Sequence, residues 1–101
     1  MNSKANSHIK ISIIIVNYNV RDFLLHSIQS IIKALINISH EIIVVDNASV
    51  DGSAQSVKKN FSKVKIIENK SNLGFSAANN RAIKSSSGEY IVLINPDTLV
   101  Q

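Results

Sequence analysis

Residues 11–16 (ISIIIV), 42–45 (IIVV) and 90–94 (YIVLI) are short runs of β-branched and aliphatic side chains, each ending abruptly at a polar cluster. A strand wetted on one face alternates apolar with polar residues. These runs do not, so they read as strands covered on both faces, the pattern of a parallel sheet. Between the first two, Leu24, Leu25, Ile28, Ile31, Ile32 and Leu35 recur at the spacing of a helix over residues 21–35 with one buried stripe, opposite His26, Gln29 and Lys33. Asn19 is its expected N-cap. After the turn Asn47, Ala48, Ser49, a second helix puts Ala54, Val57 and Phe61 on one face, with Ser49 as expected cap and Asp51 in the first turn. Residues 64–68 form a short strand, and residues 69–72 a connector without an apolar side chain. Gly74 marks a point where backbone can approach something closely. Phe75, Ala78, Ala82 and Ile83 then mark a third helix, ending near Ser87 and Gly88.

Strands alternating with helices imply a parallel sheet with right-handed crossovers. If the first three strands step outward and the fourth returns beside the first, the order is 3-2-1-4, a Rossmann-like α/β sheet with helices on both faces. Ligands in such sheets sit outside the carboxyl ends of the strands, at the switch point between the first and fourth. That edge receives Asn17, Tyr18 and Asn19 from the first strand, Asp46 and Asn47 from the second, and Asn95, Pro96 and Asp97 from the fourth. The plainest use of Asp46 and Ser49 is to shape a turn and cap a helix. A second carboxylate converging from far along the chain favours a ligand site instead. Asp46 and Asp97 are hard oxygen donors with no histidine or cysteine beside them, a combination suited to Mg²⁺ or Mn²⁺ held jointly with substrate phosphates.

One domain accounts for 101 residues, with residues 1–10 expected as a disordered tail and residues 11–101 as the folded unit. The absence of cysteine removes disulfide frameworks and thiolate metal sites. A net charge of +4 raises nucleic acid as a partner, but Phe61 is the lone aromatic among Lys58, Lys59, Lys63, Lys65 and Lys70. A solvated lysine face fits better than a base-stacking platform, so no nucleic-acid partner is expected. No stretch reaches the apolar length of a membrane span, and residues 11–16 are too short for a signal-peptide core. The first turn lacks the glycines of a dinucleotide or P-loop site, and no GxSxG elbow is present. His8, His26 and His40 fall in the tail, on a polar helix face and in a linker, where surface roles are expected. Arg81 and Lys84 could approach a diphosphate, with solvent-facing roles the simpler reading.

The stretches IIIVNYN, IIVVDNASVDGS, NKSNLGFSAANNRAI and GEYIVLINPDT, in that order, resemble the nucleotide-sugar-binding half of family 2 glycosyltransferases of the GT-A fold, most closely the bacterial rhamnosyltransferase-like members. The resemblance implies inverting transfer of a sugar from a nucleoside-diphosphate donor, UDP- or dTDP-linked, to a hydroxyl of a glycan or lipid-linked saccharide. It also implies a cytoplasmic setting, at the inner membrane face, in cell-surface polysaccharide synthesis. By the same resemblance Asn17, Tyr18, Asn19 and Asn47 belong to the nucleotide-sugar site, and Asp46 meets the base. Asn72, Gly74 and Asn80 close over the nucleotide, and Asn95 and Asp97 stand at the metal motif, with Asp97 the metal ligand. Asn95 occupies a place where that motif often has its first acid, Asn47 the second place of the commoner DDGS form, and Ala82 a place often held by glycine.

Family members continue well past the metal motif into an acceptor-binding half with an acidic general base. The expectation is therefore that this chain is a donor-binding fragment, with its catalytic base beyond Gln101, and is inactive in transfer alone. Two other classes remain open: a nucleotidyltransferase, which usually carries a glycine-rich basic signature after its first strand, and a non-catalytic nucleotide-binding or receiver-like module, which would want acids where Asn17 and Asn19 stand.

Overall fold

The computed structural model describes residues 8–96. The elements run β1 (Ile11–Asn17), α1 (Arg21–Ala34), β2 (His40–Asp46), α2 (Ser53–Asn60), β3 (Lys65–Glu68), α3 (Phe75–Ser85) and β4 (Tyr90–Ile94). The four strands form one sheet in the order β3-β2-β1-β4, all pairs parallel. Register sets Asn17 beside Asp46, Asp46 beside Glu68, and Ile15 beside Ile94. All four carboxyl ends therefore open on one edge, as the expected order requires.

The strand period of two divides the core cleanly. Ile13, Ile15, Ile42 and Val44 point to one face, where Leu24, Ile28 and Ile31 of α1 and Val57 of α2 cover them. Ile14, Ile43 and Val45 point to the other, under Ala78 and Ala82 of α3. The alanines bring the α3 backbone close to the sheet, so the short helix buries little of its own length. Phe75 and Ile83, expected on its buried face, are instead exposed.

β4 also departs from expectation. Its apolar run reads as covered on both faces, yet it lies at the sheet edge with Val92 39% and Leu93 48% exposed. A continuous apolar run records that both faces are suited to cover; whether neighbours supply it is a tertiary matter.

The helix caps differ as well. Asn19 and Ser49 do not cap: Val20 and Gly52 hold the N-cap positions, neither with a side-chain cap bond. Asp51 serves both helix starts, its Oδ2 accepting from Arg21 N (2.9 Å) and its Oδ1 from Ser53 N (3.1 Å) and the Ser53 hydroxyl. A carboxylate at two helix N-termini satisfies orphan donors and complements both dipoles. Burial opposes the charge, but the bonds from Ser53 and Arg21 outweigh it and hold the Asp51 pKa below its usual value.

At the amino end of the sheet Glu41 is buried and accepts from the Ser12 hydroxyl (2.6 Å), Lys65 Nζ (2.8 Å) and Ser87 N (2.6 Å). Gly88 N donates to Ser12 Oγ (2.8 Å), and a Cβ at Gly88 would stand 2.6 Å from Ser12 N. Only glycine permits that approach. Hydrogen bonds to the fold reach back before Ile11: Lys10 N donates to Ser39 O (3.2 Å) and Glu89 N to Ile9 O (3.1 Å).

Candidate functional site

The carboxyl edge is built around two buried side chains. Asn17, fully buried at the end of β1, donates through Nδ2 to Asp46 Oδ1 (2.8 Å) and to Ser49 Oγ (3.2 Å). The Ser49 hydroxyl donates to Asp46 Oδ1 (2.6 Å), and its backbone N–H to Asp46 Oδ2 (3.0 Å). Asn19 N donates to Ser49 Oγ (2.8 Å), and Val50 N to Asn19 Oδ1 (2.8 Å). The β1 and β2 loops are thus sewn together beside the carboxylate. Among the described residues no salt bridge reaches Asp46, although it is 4% exposed.

One acceptor in this cluster is unspent: Asn17 Oδ1 is buried and receives no donor among the described residues. Asn79 Oδ1 on α3 shares that state. A buried acceptor without a partner costs about 1–3 kcal/mol, which a ligand N–H or O–H at the edge would relieve. Ala48, between these groups, holds a left-handed backbone (φ 65°) that alanine rarely adopts.

The remaining expected residues stand around this pair. Tyr18 is half exposed, and Asn19 is exposed on the same loop. Asn47 is buried and engaged by the connector after β3, as detailed below. Asn72 is exposed, and its Oδ1 accepts from Gly74 N (2.9 Å), an Asx turn that sets up the left-handed Gly74 (φ 84°). Asn80 is exposed, whereas the neighbouring Asn79 is the buried one. Asn95 is exposed just past β4, and the carbonyl of Pro96 accepts from the buried Ser27 hydroxyl of α1 (2.8 Å). Asp97, the expected metal ligand, lies outside the described residues.

Sequence reasoning undervalued Ser49, Asn69 and Ser27. Ser49 was readable as a cap, but its hydroxyl spends itself on Asp46. Asn69 follows β3 as Asn47 follows β2, and the Asp46 to Glu68 register places the two amides side by side. Arg81, weighed for a diphosphate, donates to Asn69 Oδ1. An open hollow of about 550 Å³ lies on the α1 and α2 flank, lined by Asp22, Leu25, His26, Gln29, Asn60 and Phe61, away from Asp46. It gathers no buried polar cluster like that of the strand edge.

For a divalent ion, the edge offers only oxygen and amide donors, which suits Mg²⁺ or Mn²⁺ in kind. Among the described residues no three ionisable metal ligands gather. Two of the lysines weighed for nucleic acid are already paired, Lys58 with Glu68 (2.5 Å) and Lys65 with Glu41. No helix among the described residues is long and apolar enough to cross a membrane.

Known proteins resemble this chain in sequence and in fold. A dolichol-phosphate mannosyltransferase of Pyrococcus furiosus is 36% identical over 90 residues, covering 87% of this chain and 26% of its own length. A poly(ribitol-phosphate) beta-glucosyltransferase of Bacillus spizizenii is 35% identical over 96 residues, 90% of this chain and 15% of that protein. The chain thus spans a minor part of either relative. Among solved structures, S. aureus TarS 1-349 in complex with UDP-GlcNAc aligns with TM-score 0.75 and 27% identity over 88% of this chain and 27% of that one. A mannosyltransferase of Pyrobaculum calidifontis in complex with GDP-Man and Mn²⁺ aligns with TM-score 0.79 at 23% identity, over 91% of this chain and 28% of that one, a likeness of fold. The named relatives differ in the sugar they carry, so kinship alone selects none. The Glycosyl transferase family 2 profile matches residues 12–101, and the chain belongs to that family.

Proposed function

We propose that this chain is the donor-binding part of a glycosyltransferase that moves a sugar, with inversion, from a nucleoside-diphosphate donor to an acceptor hydroxyl in cell-surface polysaccharide synthesis. The observation that carries the reading is the Asn17–Asp46 pair at the carboxyl edge of the parallel sheet, where, among the described residues, a buried carboxylate has no cation and the buried amide oxygen beside it no donor. A nucleobase presents N–H donors of the kind this pair lacks. Tyr18 offers a half-exposed ring beside it. Asn19, Asn72, Gly74 and Asn80 would flank the nucleotide, and Asn95 with Asp97 would meet its diphosphate through Mg²⁺ or Mn²⁺. The ion would neutralise charge on the departing diphosphate. UDP- and dTDP-linked donors are the first candidates, with a glycan or lipid-linked saccharide as acceptor, at the cytoplasmic membrane face. The support is family membership together with UDP-GlcNAc binding by TarS.

Calorimetric titration of the full chain with UDP and with dTDP, with and without Mn²⁺, tests it. Metal-dependent binding is expected, weakened about tenfold or more in Asp46→Asn and stripped of its metal dependence in Asp97→Ala. A folded chain that binds neither nucleotide overturns the reading.

A further inference from the structure

The connector between β3 and α3 is held by a relay of side chains with one direction. Arg81 of α3 donates to Asn69 Oδ1. Asn69 Nδ2 donates to Asn47 Oδ1 (2.8 Å), and Asn47 Nδ2 donates to Gly74 O (3.4 Å). Leu73 N also donates to Asn47 Oδ1 (3.4 Å), and Asn69 N to Asp46 O (2.8 Å). The relay therefore leaves α3, crosses to the end of β2, and returns to the residue that precedes α3.

Each link fixes the next. The Arg81 guanidinium has no acceptor, so it turns the Asn69 amide with oxygen toward α3 and nitrogen toward β2. That nitrogen demands an oxygen from Asn47, which leaves the Asn47 nitrogen facing the Gly74 carbonyl. If either amide reverses, Asn47 meets Gly74 O with oxygen and Leu73 N with nitrogen, and both connector contacts become repulsive. Asn47 and Asn69 are both buried, so water cannot easily repair the mismatch.

We infer that Arg81, Asn69 and Asn47 are positioning residues, which hold the segment carrying Asn72 and Gly74 against the nucleotide site and act through amide orientation rather than by touching ligand. This rests on the nucleotide reading above for its consequence, though the clamp itself does not. Asn69→Asp keeps the shape and the acceptor for Arg81 but puts a carboxylate oxygen against Asn47 Oδ1. Arg81→Ala removes the charge that orients the relay, from an exposed position that does not threaten folding.

The test is amide hydrogen exchange of the full chain by NMR, paired with titration by UDP and Mn²⁺. In Asn69→Asp and Arg81→Ala the Leu73 amide should exchange about tenfold faster or more, with Ile14 and Val44 amides unchanged, and UDP should bind about tenfold more weakly. Arg81→Lys restores a cationic donor and should recover most of both effects. Unchanged Leu73 exchange in Arg81→Ala, or no recovery in Arg81→Lys, overturns the inference. So does unchanged UDP affinity once the Leu73 amide is freed. A wild-type chain that binds neither UDP nor dTDP overturns the nucleotide reading and the positioning role with it, while the exchange data still decide the clamp.

Discussion

β2 carries a buried carboxylate at each end, and the two are treated in opposite ways. Glu41 has a lysine, a hydroxyl and a backbone N–H on its oxygens, and the Ser12 hydroxyl that serves it is itself held by Gly88 N. Its charge is consumed within the fold. Among the described residues Asp46 is held only by neutral donors from Asn17 and Ser49, and the Asn17 oxygen beside it has no donor. One strand thus anchors three other segments with its first acid and leaves the second short of a partner. A buried charge closed by a cation points to architecture, whereas one solvated by amides and hydroxyls at a strand end points to a ligand.

The comparison breaks most visibly if the roles are exchanged. Glu41→Ala strands the Ser12 hydroxyl, Lys65 and Ser87 N, and should cost about 3 kcal/mol in chemical denaturation, with UDP affinity of the folded fraction unchanged. Asp46→Asn sets an amide nitrogen against the Ser49 N–H, so it should cost some stability, though less than Glu41→Ala, while losing affinity; if it destabilises more than Glu41→Ala, the assignment of the two ends is wrong. Acid sharpens the contrast. Burial opposes the Glu41 charge, yet bonds from Lys65, Ser12 and Ser87 with the Lys65 charge outweigh it and lower its pKa from 4.5. A depressed folded pKa gives stability that is present above the unfolded value and lost as pH falls through the folded one. The urea midpoint should therefore drop as pH falls below about 4.5, and Glu41→Gln should flatten that drop. Asp51 contributes in the same direction and leaves a residual slope. The smallest effect is at the far strand: Ser27→Ala removes the bond to Pro96 O and should cost about 1 kcal/mol in the same denaturation assay.

Much of this is legible in the sequence. The unbroken runs at residues 11–16 and 42–45 fixed two central parallel strands, and the alternation with helices gave the order β3-β2-β1-β4. The stripe from Leu24 to Leu35 located α1, with Leu24, Ile28 and Ile31 at its buried centre. What failed were features settled by partners distant in sequence. No local pattern says that Asp51 rather than Asn19 serves the start of α1, because the two meet only once the β1 and β2 loops are packed together. Nor does YIVLI reveal that its faces stay half open at an edge. The polar edge was legible as a set of residues, Asn17, Asp46 and Asn95, but not as a network, since the pairing of Asn69 with Asn47 depends on strand register. For Asp97, outside the described residues, the sequence remains the sole witness.

Ala48 bears on how a ligand would be received. A left-handed backbone at a residue with a Cβ persists only where its surroundings leave no alternative, and here Asn47 is fastened on one side and Ser49 on the other. The wall they form is fastened in one shape by bonds within the fold. An incoming nucleotide would therefore forfeit little free energy to loop ordering, and its association with this rim should proceed without a slow rearrangement step.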